Sequence, residues 1–262
     1  MEIGMSIFNG VALENIPVFL KKHNISHTFI RTGNPDFHRA MELYAENGIT
    51  CDNLHAPFKN INHMWGEDEA DGEAMLGQLT DAVDQCHRYG VPTVIVHLSG
   101  GRPMPAITGI GLRRYERLFA HARAKGVKVA LENLRYAENL SFMLEKYPEC
   151  AFCWDCGHQY AYQHPRYLPL FGHRLGALHL HDNSCTLDEH MLPFDGKIPM
   201  EQVAKDIAES GYTGTLMLEV GRQIVTKSYD DLTEEEFVDR AAAAVKRLNE
   251  MVEACRHTPV SP

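Results

Sequence analysis

Acidic and histidine residues stand directly behind several short apolar runs of this chain. Imidazole and carboxylate groups are side chains that commonly hold divalent metals and move protons in proteins. The runs end in Leu54-His55, Val96-His97, Leu131-Glu132, Trp154-Asp155, Leu178-His179 and Leu218-Glu219. Groups of this chemistry at the ends of buried runs predict an enzyme with a metal site.

Eight apolar runs of strand length alternate with amphipathic stretches of helical period. The predicted strands are Ile3–Ile7, His27–Arg31, Thr50–His55, Thr93–His97, Val127–Glu132, Ala151–Asp155, Ala177–His181 and Thr215–Glu219. The predicted helices are Ile16–His23, Phe37–Asn47, Asp68–Tyr89, Gly111–Lys125, Ser141–Tyr147, Met200–Ser210 and Thr233–Glu253. This alternation implies parallel strands with right-handed crossovers, and eight repeats imply closure. The sequence therefore predicts an α/β fold, a single (β/α)8 TIM barrel over residues 1–262 with residues 256–262 as a frayed tail.

Composition limits the classes of function. The chain has 262 residues, with 25 Lys and Arg against 35 Asp and Glu, and a formal net charge of -10. Nucleic-acid binders draw affinity from basic side chains, so this balance disfavours a DNA or RNA partner. Neither a cleavable leader nor a membrane-spanning apolar stretch is legible, and the seven cysteines are odd in number and scattered. We expect a soluble, cytoplasmic protein that acts on a small molecule, not at a membrane.

Four of the residues behind the apolar runs close the fifth to eighth strands, and in a barrel they would be adjacent on one rim. They are Glu132, Asp155, His179 and Glu219. Three carboxylates and one imidazole suit manganese, magnesium, cobalt or zinc. The alternative is that these carboxylates pair with basic residues, but few lie nearby in sequence apart from Arg135 and Arg174. The metal interpretation is favoured.

These residues give the chain a family resemblance. Glu132-Asn133, Asp155-Cys156-Gly157-His158 (D-x-G-H), His179-Leu180-His181-Asp182 (H-x-x-D) and Glu219 resemble motifs of the xylose isomerase-like barrel superfamily. That superfamily includes sugar isomerases and epimerases and the endonuclease IV-type repair enzymes (AP endonuclease family 2). The resemblance covers nearly the whole chain. It implies one divalent metal (Mn, Zn, Co or Mg) held by Glu132, Asp155, His179 and Glu219, with Glu132 and Glu219 also exchanging the substrate proton.

The resemblance extends to the substrate pocket. It implies that His158 contacts the metal-bound sugar and that Glu138 is a further acid of the substrate site. We expect His55, His97 and Trp65 to shape the pocket, with Trp65 either stacking on a sugar or covering the barrel mouth. His181 would either line the pocket or hydrogen-bond to a metal ligand without binding the metal itself. Epimerases of this type usually carry an Arg shortly after H-x-x-D, and residues 183–187 contain none.

The sequence thus predicts a metal-dependent isomerase or epimerase of a small sugar, sugar phosphate or polyol. Proton abstraction beside a carbonyl would proceed through an enediolate, and dehydration of an inositol-like ketone is a related alternative.

A zinc phosphodiesterase of the endonuclease IV type is the second alternative, with three zinc ions. Nine residues of the right types occur in order, and Asp188 and His190 would hold an extra metal. The nine are His55, His97, Glu132, Asp155, His158, His179, Asp188, His190 and Glu219. A barrel that binds a sugar-like ligand without turnover is a third hypothesis. Homo-oligomers are common among proteins of this resemblance, and the sequence leaves this possibility open.

Overall fold

The strands follow the predicted alternation closely. The computed structural model of the chain describes residues 1–224, 226 and 229–257. Its strands are β1 (Ile3–Ile7), β2 (His27–Arg31), β3 (Thr50–His55), β4 (Thr93–Val96), β5 (Lys128–Glu132), β6 (Ala151–Asp155), β7 (Leu175–His179) and β8 (Leu216–Val220). All eight belong to one sheet in the order β7-β6-β5-β4-β3-β2-β1-β8.

The helices complete the repeat. They are α1 (Ile16–Lys22), α2 (Phe37–Glu46), α3 (Glu69–Tyr89), α4 (Gly109–Lys125), α5 (Ala137–Lys146), α6 (Cys156–Ala161), α7 (Leu168–Phe171), α8 (Met200–Ser210) and α9 (Glu234–His257). Helix α9 includes Arg256 and His257, so the tail does not fray from residue 256 as predicted. The remainder of that predicted tail, residues 258–262, lies outside the described residues.

Strand β1 pairs with both the second and the last strand. Its parallel ladder with β8 runs from Ile3 opposite Leu216 to Ile7 opposite Val220, and Gly4 pairs with His27 on β2. Strand β4 pairs in parallel with β3 and β5. Eight parallel strands form a nearly closed barrel with surrounding helices. The predicted (β/α)8 TIM barrel class is confirmed.

Strands β4 and β7 end earlier than predicted, β4 at Val96 instead of His97 and β7 at His179 instead of His181. Strand β7 begins at Leu175, directly after a short 3-10 helix over Gly172–Arg174, and ends at His179. His181 therefore follows the strand instead of closing it, and an isolated bridge pairs Leu180 with Leu218. Leu175 leaves the 3-10 helix with an extended backbone, and the strand therefore begins there. Hydrophobic patterning alone does not indicate this early start.

The contacts between Cα atoms group the chain into two compact units. The terminal unit comprises Met1–Thr28, Glu42–Thr50 and Trp154–Pro262, and the middle unit comprises Phe29–Met41 and Cys51–Cys153. Each has a buried apolar core: Leu20, Trp154, Leu218 and Val245 are fully buried in the terminal unit, and Val94, Ile95, Tyr115 and Phe152 are in the middle unit. Within the described residues, no helix has the length and apolar character needed to cross a membrane.

A buried arginine fixes the segment that follows β3. The Arg114 guanidinium on α4 donates hydrogen bonds to the carbonyl oxygens of Met64 at 3.2 Å, Gly66 at 2.7 Å and Asp68 at 3.1 Å. Arginine suits this position because its planar fork carries five donors and stays charged when buried. These hydrogen bonds therefore fix the positions of the 3-10 helix Ile61–Met64 and of the start of α3.

Candidate functional site

Two histidines and a glutamate converge in the middle unit. His55 closes β3, His97 follows β4 directly and Glu132 closes β5. Glu132 Oε2 lies 3.2 Å from His55 Nε2 and 2.9 Å from His97 Nε2, and the two Nε2 atoms are 3.1 Å apart. All three side chains are buried. We call these three residues the middle-unit cluster.

The donor atoms of this cluster fit a metal ion. His55 Nδ1 lies 2.8 Å from the carbonyl oxygen of Ala56, and because a carbonyl only accepts, Nδ1 must carry the proton. His55 Nε2 faces the Glu132 carboxylate. Ligand atoms around a tetrahedral zinc at 2.0–2.1 Å are about 3.3 Å apart, close to the spacings found here. A second nitrogen bonded to a backbone carbonyl is typical of metal-binding histidines.

Aromatic residues flank the middle-unit cluster. The Phe58 ring stacks on His97 at 4.6 Å between centroids and meets His55 edge-on at 5.4 Å. Trp65 is buried, donates its indole N–H to the carbonyl oxygen of Leu98 at 2.7 Å and packs 4.8 Å from Tyr115. Phe58 is one of the few exposed large apolar side chains, so of these two aromatics it is the one that presents a face to solvent.

Glu138 differs from the buried cluster residues in its exposure. It occupies the first turn of α5 and is exposed. A carboxylate is favourable at a helix N-terminus, where it faces the unsatisfied backbone N–H groups. The substrate-binding roles predicted for Glu138 and Trp65 stay predictions.

A larger group of carboxylates and imidazoles gathers in the terminal unit. We call it the terminal-unit cluster: Asp155, His158, His179, His181, Asp188, His190 and Glu219. Asp155, His179 and Glu219 come from the carboxyl ends of β6, β7 and β8, His158 from α6, and the others from the segment between β7 and α8. The carboxyl ends of parallel strands meet on one rim, which is why residues far apart in sequence come together.

Asp155 organises one side of the terminal-unit cluster. Its carboxylate accepts the backbone N–H of His158 at 2.7 Å, which caps α6, and lies 3.6 Å from His158 Nδ1. His181 Nε2 lies 3.2 Å from the same carboxylate. Asp155 is completely buried, so its charge needs cationic or metal partners to be stable there.

Asp188 organises the other side. Its carboxylate lies 3.1 Å from His158 Nε2, 3.6 Å from His181 Nε2 and 3.4 Å from His190 Nε2. His158, Asp188 and His190 form a second set of three side chains that could hold a metal. Elsewhere in the same unit, His179 Nδ1 lies 3.3 Å from Glu219 Oε2, which joins the two residues predicted to share a metal.

Two more imidazoles repeat the arrangement of His55. His181 Nδ1 lies 3.3 Å from the carbonyl oxygen of Asp182, and His190 Nδ1 lies 3.1 Å from that of Glu219. Both nitrogens must donate, so Nε2 is left to face carboxylates. The two rings stack at 4.0 Å between centroids. His190 also has a φ of 54°, a conformation that residues other than glycine rarely adopt and that clusters at functional sites.

The charges in this cluster shift the pKa values of its members. Burial alone would lower the pKa of His190, but the carboxylates of Glu219 and Asp188 outweigh burial and raise it to about 9. Burial alone would raise the pKa of Asp188, whose side chain is 27% exposed, yet His158 and His190 hold that pKa well below its usual range. Without a metal the carboxylates thus attract a proton onto His190, which shows that the cluster favours a positive charge.

Sequence reasoning did not identify the residue that shapes the loop after β7. Asp182 is buried, and its carboxylate accepts backbone N–H groups from Asn183 at 2.7 Å, Gly196 at 2.9 Å and Ile198 at 2.9 Å. Burial raises the pKa of Asp182. Its position directly before the loop that carries Asp188, Glu189 and His190 was the available signal, but its partners lie up to 16 residues away.

The fold and this strand-end chemistry agree with a family model. The model for the xylose isomerase-like TIM barrel matches residues 19–248. The chain belongs to that family. Its predicted resemblance to this superfamily is therefore confirmed.

The chain is also similar to one uncharacterized relative. An uncharacterized protein, y4fM, from Sinorhizobium fredii (strain NBRC 101917 / NGR234) is 27% identical over 195 residues, which is 68% of this chain. The chain spans only 61% of the length of that relative.

Solved structures share the family fold. A D-psicose 3-epimerase with D-tagatose, from Clostridium cellulolyticum H10, has 15% identity and a TM-score of 0.74 over 93% of this chain and 94% of its own. An IOLI protein with a bound zinc atom has 17% identity and a TM-score of 0.74 over 95% and 96%. Identities this low show the shared fold alone.

Proposed function

We propose that the chain is a divalent-metal-dependent isomerase or epimerase of a small sugar, sugar phosphate or polyol. The observation that carries this proposal is that Asp155, His179 and Glu219 are buried together at the carboxyl ends of β6, β7 and β8, with His179 Nδ1 3.3 Å from Glu219 Oε2. Buried charged groups of this kind are stable when they are paired or coordinate a metal. Family membership, with sugar epimerases among the proteins of this fold, supports the reaction class.

The residues proposed to hold the metal are Glu132, Asp155, His179 and Glu219. All four are buried at the carboxyl ends of their strands. A divalent ion held there would supply a Lewis acid that polarises a substrate carbonyl and acidifies the neighbouring carbon. Oxygen and nitrogen donors of this mixture accept manganese, magnesium, cobalt or zinc.

Two glutamates would move the proton. Of Glu132 and Glu219, one would remove it from the carbon beside the carbonyl and give an enediolate, and the other would return a proton to the opposite face. His158 would donate a hydrogen bond to the developing oxyanion. Its ring is fixed between Asp155 and Asp188, as an oxyanion donor must be fixed before the reaction begins.

Replacement of Glu219 tests these roles. Glu219→Gln keeps the size of the side chain but removes its basicity, so we expect ketose epimerisation to fall by about 100-fold or more. Glu145→Gln, an exposed change on α5, is the matched control and should leave turnover unchanged. Metal content is measured on both variants by elemental analysis. A Glu219→Gln protein that kept full turnover with metal bound would refute the assignment.

A zinc phosphodiesterase remains the second candidate function. The observation that favours it is that two further sets of three donors occur, His158/Asp188/His190 and His55/His97/Glu132, the second of which shares Glu132 with the proposed ligands. Three zinc ions would activate a water and stabilise a phosphodiester transition state. The expected marks are about three zinc ions per chain and cleavage of abasic DNA. One metal per chain and intact DNA would exclude it.

A further inference from the structure

The middle unit contains a cavity that the proposed proton transfer does not use. It lies at the amino-terminal ends of β5 and β6, beside the end of α4, and has a volume of about 290 Å³. All of its lining residues fall within the Cys51–Cys153 segment of the middle unit. Pockets for small molecules in proteins usually measure about 300–1,000 Å³, so this cavity suits a molecule of modest size.

Apolar side chains form the wall of the cavity. Phe119 and Ala122 line it from α4, and Val127 and Val129 line it from the start of β5. All four residues are buried. The ring of Tyr147 packs edge-on against Phe119 at 5.0 Å between centroids, which holds this aromatic side chain in place. The wall is therefore formed before a ligand arrives and can take an aliphatic or aromatic group.

A cation borders this apolar wall. Arg123 is exposed in the last turn of α4 and lines the cavity. It follows Phe119 by four residues and Ala122 by one, so Phe119 and Arg123 are neighbours on one face of the helix. The carbonyl oxygen of Arg123 accepts the N–H of Gly126 at 3.1 Å, and that of Ala122 accepts the N–H of Val127 at 2.9 Å. The backbone thus satisfies these two carbonyls, and the Arg123 guanidinium is not needed there.

A carboxylate borders the same cavity. Glu149 is exposed and lies directly before the buried Cys150, where the chain enters β6. Within the part of the chain that the structure describes, neither Arg123 nor Glu149 takes part in an ion pair. Lys128 also borders the cavity, but alternation along β5 places it on the other face of the strand from Val129. The apolar wall is therefore accompanied by two charges of opposite sign, from Arg123 and Glu149.

We infer that this cavity binds an apolar α-amino acid in its zwitterionic form. The α-carboxylate would accept paired hydrogen bonds from the Arg123 guanidinium, and the α-ammonium would donate to the Glu149 carboxylate. The side chain of the amino acid would pack against Phe119, Val127 and Val129. A ligand with a single charge would complement only one of the two protein groups. This site is independent of the proposed function and would remain if that proposal failed.

Three ligands that differ by one charged group test the site. L-leucine carries both charges, 4-methylpentanoate lacks the ammonium and 3-methylbutylamine lacks the carboxylate. Saturation-transfer NMR titrations on the purified protein would measure the three affinities. We expect each single-charge ligand to bind about tenfold or more weakly than L-leucine, because each loses a charge-assisted hydrogen bond.

Variants that remove one protein charge locate the binding site. Arg123→Gln should weaken binding of L-leucine by about tenfold without weakening that of 3-methylbutylamine, which has no carboxylate. Glu149→Gln should weaken binding of L-leucine by about tenfold without weakening that of 4-methylpentanoate, which has no ammonium. Arg113→Gln removes an exposed charge from the same helix, and as the control it should change none of the three affinities.

Three results would overturn the inference. The first is that L-leucine shows no binding up to about 10 mM. The second is that either single-charge ligand binds as tightly as L-leucine, because the group it lacks would then not be recognised. The third is that Arg123→Gln or Glu149→Gln weakens all three ligands equally or weakens none, because recognition would then not depend on the matched charge.

Discussion

The imidazole of His181 lies directly against the backbone of Gly157. A Cβ atom at Gly157 would overlap Cε1 and Nε2 of the His181 ring. The glycine of the D-x-G-H motif therefore makes room for a histidine that faces Asp155. No side chain larger than hydrogen fits between them without displacing the ring.

We expect Gly157→Ala to displace His181 and to disturb the terminal-unit cluster. The clash cannot be relieved by rotation of a flexible end, so the free energy of unfolding should fall by about 1–3 kcal/mol. Metal affinity, measured by calorimetry, should fall more than this stability loss alone would cause. Gly77→Ala on α3 is the control, since a Cβ there meets nothing within 4 Å. Equal metal affinity in Gly157→Ala and wild type would contradict this account.

Asp182 should determine the shape of the loop that carries Asp188 and His190. Asp182→Ala removes the acceptor of three backbone N–H groups, and we expect a loss of about 3 kcal/mol in urea unfolding. Asp182→Asn keeps one oxygen and should lose less. A change below about 0.5 kcal/mol for Asp182→Ala would show that other contacts hold the loop.

Arg114 should contribute strongly to stability although it is far from any proposed chemistry. Arg114→Met leaves buried carbonyl oxygens without donors, and we expect the free energy of unfolding to fall by about 3 kcal/mol. The neighbouring Arg113→Met is the matched control, because Arg113 is exposed on the same helix. The prediction fails if the two variants unfold at the same urea concentration.

The cysteines should differ sharply in reactivity. Burial raises the pKa of Cys86 to about 12 and that of Cys156 well above its usual range, so their thiolates are scarce at neutral and mildly alkaline pH. Cys185 and Cys255 are partly exposed. Alkylation of native protein followed by mass spectrometry should label those two first, and the five buried thiols only after unfolding. Rapid native labelling of Cys156 would contradict the burial described here.

The sequence predicted the strands well and the loops poorly. Strands β1, β2, β3 and β6 have the predicted bounds because their apolar runs are short and sharply delimited. Helix α6 was missed, since it has six residues and depends on the Asp155 cap and not on a hydrophobic period. The environment of Trp65 could not be predicted from the sequence either, because Gly111 from the distant α4 packs against its ring.

The candidate site was likewise predictable in part. Residue types at strand ends indicated metal chemistry, because parallel strands bring their carboxyl ends to one rim. The Nδ1 contacts of His55, His181 and His190 could not be predicted, since they depend on the orientation of single carbonyl groups. The contact between the Phe58 and His97 rings has no sequence period either.

Solvent deuterium exchange tests the proposed proton transfer most directly. Manganese-loaded protein would be incubated in D2O with a panel of ketoses, ketose phosphates and ketohexuronates, and proton NMR would follow the hydrogen on the carbon beside the carbonyl. We predict that this signal disappears for at least one sugar as its epimer forms, and that metal-free protein leaves it intact. A metal-loaded protein that exchanges this hydrogen in none of the sugars would contradict the account.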